Sequence, residues 1–114
     1  MKNKVAALST VALLAFSAQA FADPIEKTWV RPNGHHVKFS ACGDSFCAVA
    51  VSGPHAGGNA GKLKPTGNGK YSGSLTDLDS NKTYTGYGTI SGGTLKVSGC
   101  VMGVFCKSEN WTAQ

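Results

Sequence analysis

His35, His36 and His55, together with Asp44, are the side chains that could hold a metal ion, because imidazole is the commonest protein metal ligand. Neighbouring residues on a strand point to opposite faces, so His35 and His36 cannot both reach one compact site without a bulge. They are expected to be surface histidines beside a turn, and no metal is expected. Asp77, Asp79 and Asn81 have the spacing that opens a calcium loop. Lys82, however, stands where that loop needs its glycine, and Gly88 where it needs the bidentate glutamate. The segment is therefore a turn. No serine sits in a G-x-S-x-G elbow, and the six acidic residues suggest no glycosidase-like pair. No catalytic residue, no enzyme activity and no cofactor are expected.

The four cysteines, Cys42, Cys47, Cys100 and Cys106, carry a different chemistry. A zinc site of this kind belongs in a reducing compartment, and a redox pair would be spaced C-x-x-C. An even count in a small exported chain points to two disulfides instead. Three connectivities are possible, and Cys42–Cys47 with Cys100–Cys106 is favoured because each closes a short turn. A short loop of this kind contributes roughly 2 kcal/mol and a long link roughly 4.

Export is read from the first 22 residues. Lys2 and Lys4 precede the apolar run 5–16, and the small residues Ala18, Ala20 and Ala22 approach a cleavage point. Cleavage is expected after Ala22, leaving residues 23–114 as a single domain in the periplasm or outside the cell. No apolar run reaches the roughly 20 residues of a spanning helix. The net charge of +5 owes part of its size to the leader lysines. The basic residues that follow are scattered singly, without the clustered cations and aromatic platforms of a nucleic-acid groove. Nucleic acid is not an expected partner, and the domain is expected to be a monomer.

The elements that must position these groups are strands. Short runs rich in Val, Thr, Tyr, Phe and Trp are separated by Gly, Asn, Asp and Ser. They fall at residues 26–31, 36–40, 47–51, 62–65, 70–76, 83–90, 94–98 and 105–111. Asn68-Gly69 and Gly92-Gly93 are hairpin turns, and Asp79-Ser80-Asn81 supplies a side-chain-closed turn. Alternation assigns faces: Tyr84, Gly86, Gly88 and Ile90 oppose Thr83, Thr85, Tyr87 and Thr89, while Leu95 and Val97 oppose Lys96 and Ser98. Evenly spaced strands with internal glycines imply an all-β, antiparallel up-and-down barrel of about eight strands. Residues 53–61 are too glycine-rich for a strand and are expected to form a mobile loop.

The order of motifs also carries a resemblance. Trp29 is followed by Val37-x-Phe39-x-x-Cys42 and Phe46-Cys47, then Gly69-Lys70-Tyr71-Ser72-Gly73 and Asn81-Lys82-Thr83-Tyr84. Last come Leu95-Lys96-Val97-Ser98-Gly99-Cys100 and Phe105-Cys106-Lys107-Ser108-x-x-Trp111. Across residues 25–112 this resembles an uncharacterised family of small secreted bacterial proteins, a domain of unknown function with a lipocalin-like β-barrel. The resemblance implies architecture and compartment and brings no activity with it. Barrel interiors can hold a small apolar or amphipathic ligand, and Trp29, Phe39, Tyr84, Leu95, Val97 and Trp111 are expected as core or as the cavity lining. The alternative is an envelope protein-interaction or inhibitor module acting through residues 53–61 and the stapled hairpin tips.

Overall fold

The computed structural model describes residues 22–114. The expected leader lies outside them, apart from Ala22. Eight strands follow one another: β1 (Thr28–Val30), β2 (His36–Cys42), β3 (Ser45–Ala50), β4 (Asn59–Gly67), β5 (Lys70–Asp77), β6 (Lys82–Ser91), β7 (Thr94–Val101) and β8 (Phe105–Ala113). Each pairs antiparallel with the next, and β1 pairs with β8, so the sheet closes into an up-and-down barrel. Among the described residues no helix is long and apolar enough to cross a membrane.

Alternation explains the closure. On β6 and β7 the buried positions Gly86, Gly88, Leu95 and Val97 fall on one face, and Thr85, Tyr87, Thr89 and Lys96 are exposed on the other. A sheet with one apolar face can bury it by curling upon itself, which also removes unpaired edges. The interior then gathers Trp29, Val37, Phe39, Ala48, Leu63, Tyr71, Leu75, Leu95, Val97 and Trp111 into one core.

Two expectations need correction. Strand β4 begins at Asn59, so residues 59–61 belong to the sheet rather than to a loop. The glycine there has a structural reason: Gly61 has φ +135°, and a Cβ on it would lie 2.3 Å from the Ser74 carbonyl oxygen. It sits where the β3–β4 register shifts between Ala48 and Val49, a bulge that only glycine fits. The remaining segment, 51–58, carries backbone hydrogen bonds, including Gly57 to the Ala50 carbonyl and Ala50 to the Gly58 carbonyl. The second correction is at the start of the barrel, where a strand was expected from residue 26. Residues 23–27 instead form a turn, in which Glu26 donates to the Asp23 carbonyl and Ile25 to the Asp23 carboxylate.

That turn closes one end of the barrel. Ile25 is fully buried, the Trp29 indole donates to its carbonyl at 3.0 Å, and the Tyr71 hydroxyl donates to Asp23. The hairpin turns β2–β3, β4–β5 and β6–β7 share this closed end. The loops β1–β2, β3–β4, β5–β6 and β7–β8 gather at the opposite end.

Candidate functional site

The opposite end is open. A cleft of about 710 Å³ enters the barrel there, with Val37, Ala50, Ala60, Leu75, Val97 and Trp111 among its walls. Leu78, Val104 and Phe105 stand at its rim. An apolar concavity with a few charged groups at its mouth is the usual form of a small-molecule pocket.

Of the six residues expected as core or cavity lining, the structure places Tyr84, Val97 and Trp111 on this cleft. Trp29, Phe39 and Leu95 are fully buried in the filled half of the barrel, and none of them lines it. Alternation along a strand says which face a side chain takes but not how far along the barrel axis it sits. The Ile25 turn decides that, because it fills the closed end around Trp29.

Space in the cleft comes from small residues. Gly99 faces it from β7, and a Cβ placed there would find nothing closer than Tyr84 at 3.4 Å. Its cross-strand partner on β6, Gly86, is different: a Cβ there would lie 2.5 Å from Leu75 Cγ. The interior is thus packed tight on one side of this pair and open on the other.

The charged groups at the mouth come from strands distant in sequence. Arg31 donates from Nε and Nη2 to the two carboxylate oxygens of Glu109, at 3.2 and 3.1 Å. Its guanidinium lies 5.7 Å from the Trp111 ring centre, and the Trp111 indole donates to Glu109 at 2.7 Å. Burial pushes the Glu109 carboxyl up, but the hydrogen bonds from Arg31 and Trp111, with the charges of Arg31 and Lys107, hold it below the usual carboxylate range. Glu109 is therefore ionised at neutral pH. Lys107 and Asp77 also line the mouth. At the closed end, burial and the neighbouring Asp23 carboxylate push the Tyr71 phenol well above its ordinary range, so it stays protonated as a donor.

The Arg31–Glu109–Trp111 group was not expected from the sequence, because Arg31 and Glu109 are 78 residues apart. A usable signal is that Glu109 and Trp111 share a face of β8, and Arg31 extends the face of Trp29. The histidines do not gather: His55 pairs with Asp79 at 2.9 Å, and His35 packs beside Gly53. Among the described residues no three His, Cys, Asp or Glu side chains form a metal-sized group.

Both disulfides join short loops, Cys42 to Cys47 and Cys100 to Cys106. The second links directly opposed residues of β7 and β8 below the hairpin tip. Two bridges are compatible with an oxidising compartment outside the cytoplasm.

No curated protein and no solved structure matches the chain. Residues 58–113, which hold β4 to β8, match a family model described as an uncharacterized protein conserved in bacteria (DUF2147).

Proposed function

We propose that the protein is a non-catalytic binding module, exported to the periplasm or beyond, which holds a small apolar or amphipathic molecule in the open half of its barrel. The observation that carries this reading is the cleft of about 710 Å³, apolar along its walls and charged at its mouth. An apolar body would displace water from the walls formed by Val37, Leu75, Val97 and Trp111. A polar head would stay at the mouth, beside Arg31, Lys107 and Glu109. Burying apolar ligand surface supplies roughly 25 cal/mol per Å², so a ligand of modest size can bind without a metal or a covalent bond.

The two tryptophans provide the test. Trp111 lines the cleft and Trp29 does not. Titration with fatty acids and phenolic compounds should give a saturable change in tryptophan emission that survives Trp29→Phe and disappears in Trp111→Phe. A panel that produces no saturable change, or one that depends on Trp29, overturns the reading.

A further inference from the structure

The β7–β8 hairpin ends in Val101-Met102-Gly103-Val104-Phe105, and its apolar side chains face solvent. Met102 is 87% exposed, Phe105 74%, Val104 71% and Val101 45%. Four exposed apolar residues in one tip break the rule that turns are polar, and such runs are retained where they serve a function. The backbone makes the choice more pointed. Met102 has φ +54°, in the left-handed region where Asn and Gly are favoured. Among the described residues, asparagine stands at the two other non-glycine positions of this kind, Asn68 and Asn81. Here it accepts an unfavourable backbone in order to present a long apolar side chain.

We propose that this hairpin tip docks the protein on an anionic lipid surface, with Met102, Val104 and Phe105 entering the boundary between headgroups and acyl chains. The tip presents Met102, Val104 and Phe105 to solvent, so a protein partner would need a matching socket. A bilayer accepts such a shape without complementarity and takes apolar groups to a depth of ~5–10 Å.

Charge supports the same occupant. Lys82 shares a surface groove with Met102, and Lys107 stands beside Val104 and Phe105 at the cleft mouth. Of the other charges at this end, Glu109 is bridged to Arg31, and Asp79 shares a hydrogen bond with His55. Asp77, which opposes Lys82 in the β5–β6 register, and Asp79 are the acidic groups that work against attraction. The Cys100–Cys106 bridge holds the base of the tip, so little ordering is needed on contact. Docked this way, the cleft mouth faces the membrane, because Val101, Val104 and Phe105 also line it.

The experiment is co-sedimentation of the oxidised barrel, residues 23–114, with phosphatidylcholine vesicles with and without phosphatidylglycerol. Binding should require phosphatidylglycerol and weaken with salt. Val104→Ser with Phe105→Ser should weaken it roughly tenfold or more, given the apolar area withdrawn. Lys82→Gln and Lys107→Gln should each weaken it about fivefold, the worth of one cation near such a surface, and Asp77→Asn should strengthen it. Gly99→Val, which acts only inside the cleft, should leave it unchanged, so docking and ligand binding can fail separately. No sedimentation with phosphatidylglycerol vesicles at low salt overturns the proposal. So does a tip-dependent dimer, abolished by the serine variants, in protein that ignores vesicles.

Discussion

Gly86 and Gly99 face each other across β6 and β7, and substitutions at the two should change stability in opposite directions. At Gly99 a Cβ meets Tyr84 at an ordinary contact distance, and the rest of a valine side chain would extend into the cleft. Valine adds three carbons, each worth about 0.8 kcal/mol if fully buried. The cleft is open at one end, so about half of that is realised, ~1 kcal/mol. Replacing a strand glycine adds a further ~0.5–1 kcal/mol through the unfolded chain. Gly99→Val should therefore stabilise by about 2 kcal/mol. At Gly86 the new Cβ would lie 2.5 Å from Leu75 Cγ, and Leu75 is itself buried in the core. Overpacking of that kind costs ~1–3 kcal/mol, which exceeds the backbone gain. Gly86→Ala should be destabilising by about 1 kcal/mol. Urea unfolding of the oxidised protein, followed by tryptophan emission, reads both. With a slope of ~1–3 kcal/mol per molar urea, the two midpoints should separate by about 1 M or more. If both variants are destabilised alike, the interior is filled at Gly99 as well, and the cleft does not exist in solution.

Three further outcomes are expected. Ile25→Ala should lower stability by ~2–4 kcal/mol in the same urea assay, as for a fully buried core residue, whereas a cost under about 1 kcal/mol would mean that the turn is not part of the core. Because the folded Glu109 carboxyl is held below its ordinary value of about 4.3, its stabilising contribution is complete above that value and is lost as pH falls through the lower folded one. The urea midpoint should therefore fall on acidification into this range, and fall less in Glu109→Gln. Replacing Cys100 and Cys106 together by serine should cost roughly 2 kcal/mol in the thermal or urea midpoint while far-ultraviolet circular dichroism stays that of a β-sheet.

The barrel was legible because its strongest signals are local. The alternation in β6 and β7, and turn pairs such as Asn68-Gly69, specify strand, face and hairpin within a few residues. The open cleft was less legible, since depth along the barrel depends on what fills the closed end. Residues 26 and 27 read as the start of a strand, and only the position of the 23–27 turn beneath Trp29 shows it to be a plug. The Arg31–Glu109 pair depends on β1 meeting β8, a contact that no short window contains. The apolar tip was visible in the sequence but read simply as the inside of a disulfide loop. A hairpin apex and a buried strand end have the same composition until exposure is known.

The β1–β8 junction rests on two residue pairs, Trp29 with Ala113 and Val30 with Thr112, while β7 and β8 share eight. The Gln114 amide donates to the Thr28 carbonyl, so residue 114 lies against β1. Joining residue 114 to residue 23 through a short linker and cutting at the 68–69 turn should therefore yield a circular permutant with the same barrel. In the native order, β1 is the first strand of the barrel and must wait for β8 before its outer edge is satisfied. Circularisation alone would remove that delay and speed refolding, because the most distant pairing in the chain would become a local one.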